Sequence, residues 1–543
     1  MVEASGARGY SAACPNCGAP VRFASAASAS AVCSFCRSTL VRDGEALRRI
    51  GVVSELFDDH SPLQLGAGGT RQGIAFTLIG RLQYGYAQGT WNEWHALFDN
   101  GPDGQRSAWL SEDNGAYVLA FDAPLPADLQ GLSPTLDTVK AGGRLTADGR
   151  AWDVASVQTA KLISAEGELP SPPRLQGQFT VADLRNPAGE VATLDGSDPQ
   201  RIGWSVGRSV RLAELAMQGL RQAAEKTLGA RGVECPNCGA ALQLTLATTQ
   251  SIVCHQCASV VDVSGGVGAD LKFYRQHNAG TAGAEPQIAL GSTGRLALMD
   301  NTSDQPGAAP LTWQAVGYLE RRDIPEDAED ETSYWREYLL YHPTAGFAFL
   351  VDTNEGWSWV RPITGAPQTR GDRAEWLGVS YQRRWQYGAI NTWVQGEFYW
   401  RVSVDERARV ADYEGTGANR NARLSREQTP QEVTWSAGRT LDAAVVADAF
   451  NIAPSARKAL QRDVAPVSFS GSGAKVAWIV FALVAVLVVM LSQCSDDSCD
   501  DLRSNFGSAS NEYRQCMAGR GSGGAYRSGG GAYGGWSSGG GHK

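Results

Sequence analysis

The sequence predicts a mainly β (α+β) chain: a β-rich unit present twice in tandem, then one apolar helix and a glycine-rich tail. Three observations carry this reading. A cysteine quartet in CPNCGAPVRFASAASASAVCSFCRSTL (Cys14–Leu40) returns in CPNCGAALQLTLATTQSIVCHQCASVV (Cys235–Val261). Behind each quartet a set of landmarks recurs in one order, the mark of a duplicated unit of about two hundred residues. Near the end, VAWIVFALVAVLVVML runs from Val476 to Leu491 without a charged residue.

The landmarks order the elements. LQLGAGG at Leu63 is answered by IALGSTG at Ile288, and GIAFTLIGRLQY at Gly73 by LTWQAVGYLERR at Leu311. TWNEWHALF at Thr90 is answered by YWREYLLYH at Tyr334, and SAWLSEDNGAYVLAFD by FAFLVDTNEGWSWVRP. LQGQFTV at Leu175 is set against VQGEFYW at Val394, and WSVGRSV at Trp204 against WSAGRTL at Trp435. Period-two alternation, aromatic and β-branched enrichment, and Asn-Gly, Asp-Gly and Gly-Gly turns predict antiparallel strands. Each unit is expected to close with a helix. The first is SVRLAELAMQGLRQAAEKTL from Ser209, ending near Gly229; the second is TLDAAVVADAF from Thr440, stopped by Pro454. The stretch between Asp405 and Glu432, rich in Arg, Asn and Gly, reads as an exposed loop.

Both quartets have the spacing C-x2-C-x15-C-x2-C. Each C-x2-C pair fits a tight turn whose amides point at two thiolates, and two such turns face to face supply a tetrahedron of sulfur. That suits Zn2+, and the Pro-Asn inside the first pair of each quartet, with Gly after it, matches the knuckle of zinc ribbons. The expected ligands are Cys14, Cys17, Cys33 and Cys36 in one site, and Cys235, Cys238, Cys254 and Cys257 in the other. Four thiolates fill the shell, so the metal serves folding rather than catalysis. Paired disulfides are the competing reading, weakened because MVEASGARGYSAACPNCG shows no export signal. An iron–sulfur cluster is a minor alternative. With four cysteines present, His255 is expected to face solvent. The first ribbon carries Arg37, Arg42, Arg48 and Arg49, whereas CASVVDVSGG in the second has no base. Together with a net charge of −9, from 48 basic and 57 acidic residues, this favours protein over nucleic-acid contact.

Ala474 and Ser492 to Cys494 extend the apolar run into the range of about 17–25 residues that spans a bilayer. A buried core helix is the alternative; all-round apolarity and Gly/Ser-rich flanks favour the membrane. Arg457, Lys458, Arg462 and Lys475 precede the span, and Arg503 is the one base soon after it. The positive-inside tendency then places the bulk in the cytoplasm and the tail across the inner membrane, as a single-pass, tail-anchored protein. GRGSGGAYRSGGGAYGGWSSGGGHK has too little apolar side chain to fold. A Cys499–Cys516 disulfide is expected in the tail, while Cys494 abuts the span. The boundaries are a ribbon at 1–45, a β-rich copy at 46–229, a ribbon at 230–265 and a second copy at 266–465. A linker at 466–475, the span at 476–494 and the tail at 495–543 follow.

Catalytic signatures are lacking. His60, His95, His277 and His342 sit in no metal or triad spacing, and no P-loop, G-x-S-x-G or dinucleotide fingerprint occurs. No catalytic residue is assigned, and a non-enzyme is favoured. On a strand Trp91 and Glu93 share a face, as do Trp335 and Glu337, giving an aromatic–carboxylate surface suited to a cation such as a polyamine. A half-buried strand with a solvated or arginine-paired glutamate is the simpler alternative. Glu397 is set against Gln178, so chemistry needing that carboxylate runs in at most one copy. Trp204 and Trp435 are expected to plug cores, with Arg208 and Arg439 capping or pairing locally.

The Leu-Gly opening, the WNEWHALF and YWREYLLYH strands, and the GQF/GEFYW and W-S-x-G-R elements resemble the bacterial family known as domain of unknown function 4178. The resemblance covers most of residues 55–215 and 280–450. It implies no established reaction. It implies a setting near phage-shock-type membrane-remodelling proteins, small membrane proteins and polyamine aminopropyltransferases. The expectation is a membrane-anchored, cytoplasm-facing scaffold that recruits protein partners in envelope or membrane-stress maintenance. Two weak modules on one chain would gain avidity from effective concentration. A sensor or enzyme for a polyamine-like cation is the alternative.

Overall fold

Alternating strands with turn residues between them close, in each copy, into an eight-stranded antiparallel barrel. The computed structural model describes most of residues 10–460. Residues 1–9, residues 461–543 and interior segments, the longest being 222–230, 277–285 and 299–309, lie outside the described residues. The expected membrane span, the tail and Cys494, Cys499 and Cys516 therefore lie outside them too. Among the described residues no helix is long and apolar enough to cross a membrane.

The first barrel begins as a meander of Ile74–Gly85, Thr90–Gly101, Gly104–Asp113 and Ala116–Asp122. Ala116–Asp122 pairs with Gly203–Val210, and the ring continues through Glu190–Asp195 and Phe179–Arg185 to the long strand Arg150–Leu169. That strand pairs back onto Ile74–Gly85, which abolishes the open edges a flat sheet would expose. The second barrel repeats the circuit with Leu311–Ile324, Tyr334–His342, Gly346–Thr353 and Gly356–Ile363, then Val433–Leu441, Ala422–Gln428, Arg407–Gly415 and the long strand Val379–Phe398. Aromatic side chains pack on both faces of the wall: Trp335 lies inside the second barrel with Phe349, Val351 and Val410, whereas Trp152 and Trp204 of the first copy meet edge to face at 5.8 Å on the outer face, beneath Leu129, Leu136 and Val139. Trp204 and Trp435 are both buried, as the sequence predicts.

Each long strand outlasts its barrel. The end of the first, Gly167–Leu169, pairs with Ser30–Val32 of the first cysteine module. The end of the second, Glu397 and Phe398, pairs with Ile252 and Ser251 of the second module. The backbone passes this junction at Gly167 (φ +70°) and Gly396 (φ +87°). A Cβ at Gly396 would stand 2.3 Å from the Val316 carbonyl oxygen, and one at Gly167 would stand 2.2 Å from that of Ile79. This register revises a motif match. Glu397 corresponds to Glu168, not Gln178, because GQF at Gly177–Phe179 leads into a different strand, Phe179–Arg185. Three matching letters misled; the left-handed glycine beside the cysteine module marks the true counterpart.

Two further expectations change. Residues 211–221 form turns rather than the start of a helix; 222–229 lie outside the described residues. The backbone there is committed elsewhere: Thr70 donates to the Leu215 carbonyl at 2.7 Å, Gln218 bridges Gly68, and Ala216 has φ +45°. In the second copy the helix does form, at Ala443–Ala449, capped by the Asp442 side chain. Pro454 does not stop it but starts a second short helix, Pro454–Arg457. The stretch from Asp405 to Glu432 is no loop: it holds two barrel strands, Arg407–Gly415 and Ala422–Gln428. Their inward positions include Asp412 and Glu427, so the apolar alternation that betrays a strand is broken.

Both barrels belong to one compact unit. In the first long strand a bulge separates Val154 from Ser156. There Ser156 forms a bridge with Glu432, and the Val157 amide donates to the Gln431 carbonyl at 2.9 Å. Gln428 Nε2 reaches the Ala141 carbonyl at 3.3 Å, and Arg401 reaches that of Ala87 at 2.6 Å.

Gly396→Ala should destabilise the chain by about 3 kcal/mol or more, through left-handed strain and the clash with Val316. A urea unfolding midpoint unchanged from the parent protein would contradict this account of the junction.

Candidate metal centres

Each C-x2-C turn is held by two backbone hydrogen bonds. Gly18 donates to the Cys14 carbonyl and Cys14 to that of Ala19, both at 2.8 Å; Arg37 and Cys33 repeat the pattern at the second knuckle. The second module does the same at Cys235–Ala240 and Cys254–Ser259. The turn demands φ near +75° at Gly18 and Gly239, and the chain accepts φ +57° at Arg37 and +52° at Ala258.

The knuckles bring each quartet together. Cys14 and Cys36 Sγ are 3.6 Å apart, Cys17 and Cys33 3.7 Å, Cys235 and Cys257 3.7 Å, and Cys238 and Cys254 3.6 Å. Within each quartet all sulfurs lie inside 4.8 Å of one another. Four sulfurs about 2.3 Å from a common centre would be about 3.8 Å apart, so the spacing fits tetrahedral zinc. It is far too long for S–S bonds, and all eight thiols are free. The donor set thus fits zinc, which when bound would serve only to hold the knuckles together. His255 is exposed and outside the cluster.

Neighbouring groups prepare the sulfurs unequally. The Ser38 hydroxyl, then Asn16 and the Ser38 backbone, lower the Cys36 thiol to about 5. At Cys257 burial acts upward, but Ser259 and Asn237 bring it down to about 5. The Ala19 amide lowers Cys17, yet burial and the adjoining sulfurs push it up to about 12. The sequence named Arg49 but missed its counterpart Arg275: Arg49 donates to Asn16 Oδ1 at 3.1 Å, and Arg275 to Asn237 Oδ1 at 2.8 Å. Arg275 follows the strand Lys272–Tyr274, beyond CASVVDVSGG, which is why that run looked bare.

The second module is locked to its barrel by Glu397. This buried carboxylate accepts from the amides of Thr245 and Leu246 at 2.9–3.0 Å, from Thr249 Oγ1 at 2.5 Å and from the Thr245 hydroxyl. Such saturation lets a charge stay buried. Gln276 adds a bridge, donating to the carbonyls of Ala258 at 2.9 Å and Val394 at 3.0 Å. Glu168 occupies the same position in the first copy and is also buried. Its carbonyl lies 2.8 Å from His95 Nδ1, and burial lowers the pKa of His95.

The paired candidates Trp91/Glu93 and Trp335/Glu337 share their faces as expected, but the faces point inward. Glu93 is 6% exposed and Glu337 0%. Each tryptophan donates to its glutamate, at 3.3 Å and 2.7 Å. In the second copy Arg321 donates to Glu337 at 3.1 Å and to Glu427 at 2.7 Å, and lies 5.5 Å from the Trp335 ring. The cation over that tryptophan is thus the chain's own. Burial disfavours the Arg321 charge, but Glu427 and Glu337 more than offset this and raise its pKa. The matching position in the first copy is Tyr84, stacked on Trp91 at 5.0 Å. Burial, then Glu93 and Asp195, raise the Tyr84 phenol well above its usual range.

Around Arg321 acids outnumber bases. Burial pushes Glu427 up to about 7 against the pull of Arg321. Burial and then the charge of Glu427 push Glu406 up to about 8. The folded state therefore holds protons that the unfolded chain releases near 4.5. Their contribution to stability is complete below that value and is lost as the pH rises through 7 to 8.

A family model described as Domain of unknown function (DUF4178) matches residues 64–212 and 311–443, more than half of the chain. The chain belongs to this family and carries its domain twice in tandem. No curated protein and no solved structure matches it.

Protein purified without chelator should hold about two zinc ions per chain, one for each four-thiolate shell. Elemental analysis finding no metal, with the eight thiols still reduced, would refute the assignment. The melting temperature should fall as the pH is raised from 6 to 9, and Glu406→Gln should flatten the fall. A melting temperature that is constant or rises over that interval would contradict the placement of Glu406 beside Glu427.

Proposed function

We propose that this two-copy member of the family is a membrane-tethered scaffold whose zinc-stapled barrels recruit protein partners at the cytoplasmic face. One observation chiefly supports the reading: the polar groups that looked available for chemistry are spent on holding the fold. Glu337 is matched by Arg321 and Trp335, and Glu397 by the Thr245–Thr249 turn. Thiolate shells with four ligands leave zinc no open position for a substrate.

What the modules do offer is a rigid surface. Phe35, between Cys33 and Cys36, is 73% exposed, and exposed Arg48 and Arg49 lie on the outer strand of the same module. Exposed aromatic and arginine side chains on one module are the composition of protein-contact hot spots. The uncharged run from Val476 to Leu491 would supply the tether.

The experiment is crosslinking in intact cells followed by purification of the full chain from gently solubilised membranes, in parallel with Phe35→Ser. Protein crosslinks should form with the parent chain and weaken with the variant, while zinc content stays equal. A chain found in the soluble fraction, or crosslinks indifferent to Phe35, would overturn the proposal.

A further inference from the structure

In each cysteine module a line of hydrogen bonds runs from an exposed arginine to one sulfur of the quartet. In the second module Arg275 donates to Asn237 Oδ1, from Nε at 3.1 Å and from Nη2 at 2.8 Å. An arginine can only donate, so it fixes which way the amide is flipped and leaves Asn237 Nδ2 facing inward. That nitrogen donates to Ser259 Oγ at 3.0 Å, and Ser259 Oγ stands 3.4 Å from Cys257 Sγ. A cysteine that ligates zinc is a thiolate and can only accept. The Ser259 hydroxyl, already accepting from Asn237, must then turn its own proton to the sulfur.

The first module repeats the line. Arg49 donates to Asn16 Oδ1 at 3.1 Å, and Ser38 Oγ stands 3.3 Å from Cys36 Sγ. Asn16 and Asn237 also hydrogen-bond the Cys36 and Cys257 sulfurs directly. Each asparagine lies in the first knuckle and each serine just after the second, so the line ties the two knuckles together. The arginines, however, come from different backbone positions. Arg49 pairs with Leu40, seven residues after Cys33; the residue seven after Cys254 is Val261, which pairs with Phe273. By register the place of Arg49 belongs to Phe273, yet Arg275 brings its guanidinium to the same asparagine atom. Arg37 and Arg42 have no such equivalent, their places being held by Ala258 and Val263.

Four thiolates around Zn2+ leave the site with a net negative charge, and a donor aimed at a thiolate relieves part of it. We propose that Arg49 and Arg275 are positioning residues for the metal. Acting through asparagine and serine, each aims a hydroxyl at Cys36 or Cys257 and so tightens the hold on zinc. The line involves neither Phe35 nor the membrane, so it stands apart from the scaffold reading.

The test measures the zinc affinity of the full chain, in detergent, by competition with a chromophoric chelator. Arg275→Ala, an exposed substitution, should weaken the binding of one ion by about tenfold and leave the other unchanged. Arg49→Ala should act in the same way on the other ion. Ser259→Ala should cost as much as Arg275→Ala, and the double variant no more than either alone, because both break one line. Loading with Co2+ gives a readout that general loosening would not move. The thiolate-to-metal absorption of the affected site should shift to longer wavelength as the sulfur loses its donor. Equal affinity of the parent and either arginine variant, additive losses in the double variant, or weaker binding with an unmoved band would overturn the proposal. So would a chain that takes up no metal.

Discussion

The strands Arg150–Leu169 and Val379–Phe398 each serve two structures at once. Along most of their length they close a barrel; in their last residues they become the first rung of a cysteine module. A ribbon of this size cannot bury enough surface to fold by itself and depends on metal for its stability. Sharing a strand means that metal binding also braces the barrel seam. The carboxylate of Glu397 makes that sharing rigid, because losing it would strand the amides of Thr245 and Leu246 without an acceptor.

On the outer face of the barrel wall, where covering segments bury it, the two copies solve one electrostatic problem in different ways. In the first, Arg81 lies over Trp94 and donates to Asn92 at 2.8 Å, while Glu112 accepts from Trp94 at 3.0 Å. In the second the arginine has moved to the neighbouring strand: Tyr318 stands at the place of Arg81, Arg336 at that of Asn92, and Arg336 faces Asp352 at 3.7 Å. Tyr84 and Arg321 make a second exchange, this time of a neutral group for a cation. Burial makes each exchange conditional on its partners, since an arginine inside a barrel is tolerable only beside an acid.

The sequence was most legible where spacing alone dictates geometry. C-x2-C turns admit few conformations, so eight ligands could be read from their positions. The strands holding Trp91 and Trp335 were readable because apolar and aromatic residues alternate. Reading failed where polar side chains were buried. Asp412, satisfied by Tyr387 and Ser425, makes Arg407–Gly415 look like a loop, and Glu93 and Glu337 look like surface residues until their partners are seen. Leu215 and Met217 have helical spacing, yet they pack against the barrel mouth at Gly69 from irregular backbone. No local pattern reveals that Thr70 takes the Leu215 carbonyl.

The contact between the copies is head to tail. A gap in the edge of the first long strand, from Val154 to Ala160, receives residues Gln431 and Glu432 of the second copy. An interface of that kind does not close on itself, and repeated on identical units it would generate an open filament. The second long strand has a matching gap from Arg383 to Tyr387, which no strand fills among the described residues. Where the first copy has small Ser156, however, the second has Trp385, and beside it Arg384 is tied to Glu414 at 2.9 Å. A bulky ring and a fixed charge make that edge a poor acceptor. Divergence after duplication has thus left the two copies with unlike edges at this position.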